Sequence, residues 1–228
     1  AEIRAELERS GAAPVWRGHS DTEVLLAAAA AWGLRRALEA SVGMFALAFW
    51  DRRERTLSLA RDRLGEKPLY YGRMGQSVLF ASEPQALWEH PDWVGEIDRG
   101  ALALLMRHNY IPAPHSVFRG VRKLLPGSIC VIGLDRSAEA IERYWAPGEL
   151  GREPFTGSAE EAVDALDRLL RETISGQMLA DVPLGAFLSG GIDSSTIVAL
   201  MQAMSARAVQ TFSIGFEDPD YDEAPHAR

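Results

Sequence analysis

The chain has 228 residues, 47% hydrophobic and 25% charged, which is ordinary for a globular protein of one large or two small domains. Its net charge of −8, without any block rich in Lys or Arg, argues against a nucleic-acid partner. The longest apolar run, 24–34, is too short to span a bilayer, and the charges within 2–9 do not fit a signal peptide. A single cysteine excludes an internal disulfide and favours a reducing, cytoplasmic setting.

Two helices are predicted at the start of the chain. Ile3 and Leu7 stand four residues apart among charged residues, which predicts a short amphipathic helix over 2–9. Ser20 precedes an apolar stretch and is followed three residues later by Glu23. This spacing predicts a helix that begins after Ser20 with a capping box, in which each side chain bonds to the backbone N–H of the other residue.

Strand-like segments with alternating polarity follow. They cover 44–51, 56–61 and 77–81, and turn signals separate them. Pro84 then opens a short helix over 85–88, at a position in the first turn where proline is tolerated. Strands of period two with helices at intervals predict an α+β layered domain.

A linker is predicted over 146–158, because this stretch contains two prolines and three glycines and has no periodicity. Ser158 and Glu161 then predict a second capped helix, with apolar residues at helical spacing behind them. We place the domain boundary between residues 154 and 155, which divides the chain into 1–154 and 155–228.

The stretch 184–195, LGAFLSGGIDSS, says most about function. It predicts a short apolar strand, a turn, and a helix that begins near Thr196. Ser189, Gly190 and Gly191 let backbone N–H groups converge, and the partly positive N-terminus of the helix points to the same place. This is an anion cradle suited to phosphate, although a plain tight turn is the alternative. The common P-loop is excluded because no lysine follows the glycines.

The order Ser-Gly-Gly-Ile-Asp-Ser at 189–194 resembles the pyrophosphate-binding loop of ATP pyrophosphatases, which adenylate a carbonyl or carboxylate and release pyrophosphate. The resemblance implies that the loop contacts the β- and γ-phosphates of ATP and their Mg²⁺. The residues implied in these contacts are Ser189, Gly190, Gly191, Asp193, Ser194 and Ser195.

Within this loop the resemblance implies a Mg²⁺ ligand at Asp193. A carboxylate beside phosphate is repelled unless a metal lies between them, which favours this role over the alternative of a helix cap. The resemblance also implies backbone contacts to the adenosine from Phe187 and Ile214. An ordinary place in the apolar core is an equally good interpretation of the side chains of these two residues.

Three segments of the first half carry a second resemblance. Residues 43–51 (GMFALAFWD), 60–71 (ARDRLGEKPLYY) and 80–83 (FASE) look like the N-terminal-nucleophile glutaminase domain of class II glutamine amidotransferases. Together the two halves resemble glutamine-hydrolysing asparagine synthetases over essentially the whole chain. The resemblance implies a partial αββα amidotransferase domain over 1–154, followed over 155–228 by the start of a doubly wound α/β ATP-pyrophosphatase domain.

The chain departs from this family at its start. The family's nucleophile is an N-terminal cysteine, whereas this chain begins with Ala1, so we expect no catalytic residue here and a segment truncated at both ends. Cys130 lies in a strand-like setting, and we interpret it as a small buried hydrophobe. Of the family's glutamine-contacting positions only Asp21 is present, and its carboxylate would pair with the α-ammonium of glutamine. The alternative for Asp21 is a charge that favours a helix start.

The family's activity follows as an expectation. ATP adenylates aspartate to β-aspartyl-AMP, and ammonia from glutamine converts this intermediate to asparagine, with release of AMP and pyrophosphate. The expected ligands are ATP, Mg²⁺, glutamine and aspartate, with no nucleic-acid or membrane partner and with a homodimer as the assembly. Two alternatives stay open: a related amidotransferase or β-lactam-synthetase-like enzyme with another carboxylate, and an inactive segment with exposed apolar faces and unpaired sheet edges.

Overall fold

The computed structural model describes residues 2–133, 139–149, 154–218 and 222–227. Within them the backbone folds into two compact units, Ala1–Leu150 and Gly151–Arg228. The predicted linker, 146–158, includes residues 150–153, which lie outside the described residues. Every helix in the described part of the chain is too short or too polar to cross a membrane.

Two antiparallel sheets form the centre of the first unit. One has four strands in the order Ala46–Asp51 (β1), Thr56–Arg61 (β2), Ser128–Gly133 (β6) and Glu139–Arg143 (β7), and the other has three in the order Ser77–Ala81 (β4), Tyr70–Met74 (β3) and Val121–Lys123 (β5). The strands predicted at 44–51, 56–61 and 77–81 are confirmed as β1, β2 and β4. The elements of this unit are α1 (Glu2–Arg9), α2 (Asp21–Trp32), α3 (Leu34–Ala40), β1 (Ala46–Asp51), β2 (Thr56–Arg61), β3 (Tyr70–Met74), β4 (Ser77–Ala81), α4 (Arg99–His108), β5 (Val121–Lys123), β6 (Ser128–Gly133) and β7 (Glu139–Arg143).

An apolar cluster fills the space between the two sheets. Leu59 and Cys130, which are paired across β2 and β6, pack there with Tyr71 of the smaller sheet. Neighbouring side chains along a strand point to opposite faces. Ala60 therefore lies on the other face of the larger sheet, where it packs with Leu38 of α3.

Helical segments cover the outer faces of both sheets. Beyond α3, helices α1 and α2 join in a further cluster through Leu7 and Ala28. On the smaller sheet, Met74 packs with Leu87 of the 3-10 helix Pro84–Leu87, which is the short helix predicted there. The order of helix, sheet, sheet and helix is the αββα arrangement, so the predicted fold class is confirmed for this unit.

The second unit is a βαβ arrangement with an additional helix. Its elements are α5 (Ala159–Gln177), β8 (Gly185–Phe187), α6 (Ile192–Met204) and β9 (Gln210–Phe212). Strands β8 and β9 are parallel, and α6 makes the crossover between them, as parallel pairing requires. Its core joins Ile174 of α5 to Leu200 and Met201 of α6. The capping box predicted from Ser158 and Glu161 is confirmed at the start of α5.

One predicted boundary in the second unit is wrong. Helix α6 begins at Ile192, four residues before the predicted start near Thr196, because the extended backbone of Gly191 already serves as its N-cap. Asp and Ser are tolerated in a first helical turn, where the dipole favours a carboxylate. Strand β9 ends at Phe212 although the apolar pattern continues to Phe216. Beyond Phe212 the hydroxyl of Ser213 bonds to the backbone of Leu188.

Candidate functional site

The turn between β8 and α6 requires glycine at its centre. Gly190 has a φ of +78°, in the region that L side chains rarely adopt. A Cβ placed on Gly190 would also lie 2.5 Å from the backbone carbonyl oxygen of His226. Both the backbone conformation and the available space therefore exclude a side chain here.

Two serine hydroxyl groups hold this turn from the inside. The Ser194 hydroxyl accepts from the backbone N–H of Ser189 at 3.3 Å and donates to the carbonyl of Gly191 at 3.3 Å. The two hydroxyl groups lie 2.9 Å apart, and that of Ser189 also accepts from the N–H of Gly191 at 3.3 Å. The predicted phosphate contacts Ser189, Gly191 and Ser194 are thus part of one hydrogen-bonded turn.

The N-terminus of α6 is open. Within the described residues, its N-cap Gly191 has no side chain to offer, and its first backbone bond runs from the N–H of Ser195 to the carbonyl of Gly191 at 3.0 Å. The N–H groups of Ile192, Asp193 and Ser194 come before that bond and have no partner inside an α-helix. Such groups, with the positive end of the helix dipole, bind anions.

Asp193 is the second residue of α6 and is exposed to solvent. It is not the N-cap, so the alternative of a capping residue is not realised. The described residues contain no group of three or more His, Cys, Asp or Glu side chains that could hold a metal ion. Mg²⁺ is commonly held by one or two carboxylates together with substrate phosphates. The single carboxylate of Asp193 therefore fits Mg²⁺ only in company with phosphate oxygens.

The carboxyl ends of the two parallel strands are joined beside this turn. The N–H of Leu188 donates to the carbonyl of Phe212 at 2.9 Å, and the Ser213 hydroxyl donates to the carbonyl of Leu188 at 2.6 Å. Ligands of open α/β sheets bind at this end of the strands. Sequence reasoning gave Ser213 no role, because a serine after a strand carries no local signal for such a bond.

Phe187 and Ile214 are not core residues. Their exposed fractions are 77% and 62%, so the interpretation of their side chains as ordinary core is wrong. Ile214 and Phe216 line a cavity of about 600 Å³ that also receives three acidic side chains. These are Glu217, Asp218 and Glu223.

Asp21 is the first residue of α2 and is exposed. One of its carboxylate oxygens, Oδ1, accepts from the N–H of Thr22 at 2.7 Å, and Ser20 accepts from the same N–H at 3.2 Å. Ser20 is confirmed as the N-cap, but the predicted capping box is wrong, because Ser20 accepts from Thr22 instead of Glu23 and Glu23 does not bond to Ser20. The Glu23 carboxylate bonds further upstream, because the chain before Ser20 folds back to bring the N–H groups of Arg17 and Gly18 to it.

Cys130 is fully buried between the two sheets, which confirms its interpretation as a small core residue. Burial, with a smaller contribution from Glu139, raises the pKa of its thiol to about 11. A thiol with such a pKa is almost wholly protonated at neutral pH, and the thiolate is the nucleophilic form. Cys130 is therefore not a candidate nucleophile.

Comparison with known proteins gives similarities in both structure and sequence. A solved structure described as the allosteric regulatory enzyme of purine biosynthesis aligns with a TM-score of 0.43 and 17% identity, covering 95% of this chain and 43% of the other. A putative glutamine-hydrolyzing asparagine synthetase of Mycobacterium bovis is 38% identical over 226 residues, covering 97% of this chain. A glutamine-hydrolyzing asparagine synthetase of Bacillus subtilis is 34% identical over 214 residues, covering 90%.

The chain spans 34% of the length of each of these two relatives. Two family models match it in chain order. The model for a glutamine amidotransferase domain matches residues 1–145, and the model for asparagine synthase matches residues 165–228. The first match covers more than half of the chain, and the chain therefore belongs to the glutamine amidotransferase domain family.

Proposed function

We propose that this chain supplies the glutamine amidotransferase part and the first portion of the nucleotide-binding part of an ATP-dependent amide-forming ligase. The enzyme converts aspartate to asparagine with glutamine as the nitrogen donor. The observation that carries the nucleotide half is the open N-terminus of α6 behind the Gly190 turn. We place the boundary between the two functional parts at residues 154 and 155.

In this proposal the turn binds the β- and γ-phosphates of ATP. Unpaired backbone N–H groups at the start of α6 are suited to phosphate oxygens because they need no rearrangement to point at an anion. Gly190 provides the positive φ that gives the turn this shape. The contacts are made by Ser189, Gly190, Gly191, Asp193, Ser194 and Ser195.

Asp193 would hold Mg²⁺ together with the phosphate oxygens, and the ion would neutralise charge on the departing pyrophosphate. Without a cation, the exposed carboxylate of Asp193 opposes the binding of a polyphosphate beside it. Replacing that carboxylate by an amide therefore removes the charge and leaves only a neutral, weaker oxygen ligand, while it retains the size of the side chain.

The adenosine would lie beyond the loop, against the backbone of Phe187 and Ile214. The cavity lined by Ile214 and Phe216 supports this placement, since its apolar wall suits a purine ring. Its carboxylates disfavour phosphate at the same position. The base and the phosphates would thus be separated along the carboxyl ends of β8 and β9.

Glutamine would bind at the start of α2, where the carboxylate of Asp21 pairs with the α-ammonium group of the substrate. Asp21 is exposed, and its Oδ1 is already bonded to the N–H of Thr22. Among the described residues nothing bonds to Oδ2, which leaves this oxygen for the ammonium group.

The proposed reaction has two bond-forming steps. The side-chain carboxylate of aspartate attacks the α-phosphorus of ATP, and the bond to pyrophosphate breaks. Ammonia released from glutamine then attacks the acyl carbon, loses a proton, and AMP leaves with the electrons of the C–O bond. The loop acts on the first step by stabilising charge on the leaving pyrophosphate.

The test is pyrophosphate release by the natural protein with ATP, Mg²⁺, glutamine and a panel of carboxylates that includes aspartate. Aspartate-dependent release with formation of asparagine is the expected result. Release with another carboxylate only would retain the loop's role but change the product to that of a related amidotransferase or a β-lactam-synthetase-like enzyme. No release with any carboxylate would overturn the proposal.

Asp193→Asn tests the role of the loop within the same assay. We expect pyrophosphate release to be abolished while glutamine hydrolysis is largely retained. Asp164→Asn, which changes an exposed carboxylate on α5, is the matched control and is expected to behave as the natural protein does. Equal pyrophosphate release by Asp193→Asn and the natural protein would exclude the metal role.

A further inference from the structure

The chain before Asp21 is held by a side chain that comes after it. Glu23, half-buried in the first turn of α2, accepts two hydrogen bonds from consecutive backbone N–H groups. Its Oε1 accepts from Arg17 at 2.9 Å, and its Oε2 accepts from Gly18 at 3.1 Å. Hydrogen bonds to an ionised carboxylate are among the stronger ones in proteins, and two of them fix the orientation of the segment.

The opposite side of the same segment is held from α1. The Arg4 guanidinium donates to the carbonyl of Gly18 at 3.3 Å and lies 4.6 Å from the centre of the Trp16 ring. The Trp16 indole N–H donates to Glu8 at 3.0 Å, and Glu8 also pairs with Arg4. Gly18 is thus bonded through its N–H to Glu23 and through its carbonyl to Arg4.

Only two residues separate Gly18 from Asp21. A displacement of Gly18 therefore moves the Asp21 carboxylate, unless the start of α2 compensates. The Ser20 and Asp21 side chains both bond to the N–H of Thr22, so the helix start by itself does not hold the chain before it. Glu23 is the side chain in the described residues that bonds across this gap.

We propose that Glu23 is a positioning residue for glutamine, which sets the place of the Asp21 carboxylate by clamping Arg17 and Gly18. This inference rests on the proposed binding of glutamine at Asp21. Glu23 does not touch the substrate and acts through Asp21. Removing the clamp weakens the recognition of the α-ammonium group, because small displacements of a positioning group lower the efficiency with which a substrate is held.

The experiment compares Glu23→Ala, Glu23→Gln and the matched control Glu39→Gln in the natural protein. Glu39 is an exposed glutamate on α3 whose carboxylate pairs with Arg35. With glutamine as donor, we expect the KM of Glu23→Ala to rise about tenfold, because two charge-assisted hydrogen bonds are lost. Glu23→Gln retains one acceptor oxygen, so its KM for glutamine should rise less. The KM of the control variant should not change. The rate with ammonium as donor is the internal reference.

A double-mutant cycle with Asp21→Asn separates this inference from the function on which it rests. If Glu23 acts through Asp21, the Glu23→Ala effect on KM is largely lost in the Asp21→Asn background. If Asp21→Asn leaves the KM for glutamine unchanged, the proposed glutamine site is wrong. If Asp21→Asn raises KM but Glu23→Ala does not, or the two effects add fully, the site stands and the positioning role is wrong. Equal losses with glutamine and ammonium would show that Glu23 only maintains the fold, which also overturns the inference.

Discussion

Two of the turns that contain a glycine with positive φ, those at Gly65 and Gly190, differ in how their polar groups are bonded. In the turn after β2, Asp62 is 1% exposed and its carboxylate accepts from the N–H groups of Phe45, Glu66 and Lys67 at 2.9 to 3.2 Å. Arg61 donates to three carbonyls around the same turn, at 2.6 to 2.8 Å. The carboxylate of Asp62 and the guanidinium of Arg61 are thus bonded to the protein's own backbone.

The turn before α6 differs, because in the described residues no side chain caps the start of the helix. Its hydroxyl groups bond within the turn, whereas the first N–H groups of the helix have no side-chain cap in the described residues. The contrast extends to helix starts, because Ser158 and Glu161 close the N-terminus of α5. These turns thus differ in whether their backbone donors are bonded within the protein or have no side-chain cap in the described residues.

The largest effect is expected at Cys130, which lies in the apolar cluster between the two sheets of the first unit. Because the thiol is fully buried and its pKa is raised to about 11, we expect a thiol reagent to react at least about 10³-fold more slowly with the folded chain than with the unfolded chain. The measurement is the reaction rate in mildly alkaline buffer with and without denaturant. A fast reaction without denaturant would contradict a closed cluster between the sheets.

Asp62→Asn breaks the closed turn directly. The amide nitrogen replaces an oxygen that accepts from Glu66 alone or from both Phe45 and Lys67, so at least one buried backbone donor loses its acceptor, and we expect the free energy of unfolding of the first unit to fall by about 3 kcal/mol. Denaturant unfolding measures this change. Asp51→Asn is the control, since Asp51 also accepts from two backbone N–H groups but is only half-buried, in a hairpin, and it should have a much smaller effect. Similar losses for both variants would mean that the burial of Asp62 does not matter.

Gly190→Ala tests the open turn. A side chain there is strained by the positive φ and meets the backbone of His226, so the turn must change shape. We expect the affinity of the natural protein for ATP to fall about tenfold or more, which corresponds to about 1.4 kcal/mol or more. Titration with ATP and Mg²⁺ measures it. Gly176→Ala, in α5 with open space around it, should leave the affinity unchanged, and an unchanged affinity for Gly190→Ala would remove the turn from the nucleotide site.

The smallest effect is expected at the closed helix start. Ser158→Ala removes the side-chain bond to the N–H of Glu161, and we expect the second unit to lose about 1 kcal/mol of stability. Ser158→Thr retains the hydroxyl and should recover most of the loss. Thermal unfolding followed by circular dichroism compares the two variants. If alanine and threonine behave alike, the capping box does not stabilise α5.

Sequence reasoning succeeded where the signal is local. The helix starts at Ser20 and Ser158, the strands β1, β2 and β4, and the turn at Gly190 were all predicted, because capping, alternation and backbone freedom depend on residues a few positions apart. The helix α4 was missed although Asp98 caps its first N–H groups and Asn109 ends it in the left-handed conformation. Those signals were present in the sequence but were not used.

The candidate sites depended more strongly on resemblance. The roles of the phosphate-loop residues and of Asp21 were inferred from the family resemblance of the motifs. These roles stay predictions until ligand binding is tested. The bond from Ser213 to Leu188 and the clamp of Glu23 on Arg17 and Gly18 were not predicted. Each joins groups whose proximity is set by how the backbone folds back, and no spacing rule describes that.

The sequence by itself determined an α+β layered first part, the strand, turn and helix over 184–195, and the position of the glycine turn, since these depend on periodicity and on positions that only glycine can occupy. The αββα class was implied by the family resemblance. The tertiary structure decided which polar groups are used internally. In the sequence, Asp62 and Arg61 are ordinary charged residues of a turn. In the structure, Asp62 accepts from the N–H of Phe45, and the guanidinium of Arg61 donates to the carbonyl of Leu124, 63 residues away. The cost of burying a charge or leaving a donor unpaired depends on the atoms around it, and only the folded chain brings those atoms together.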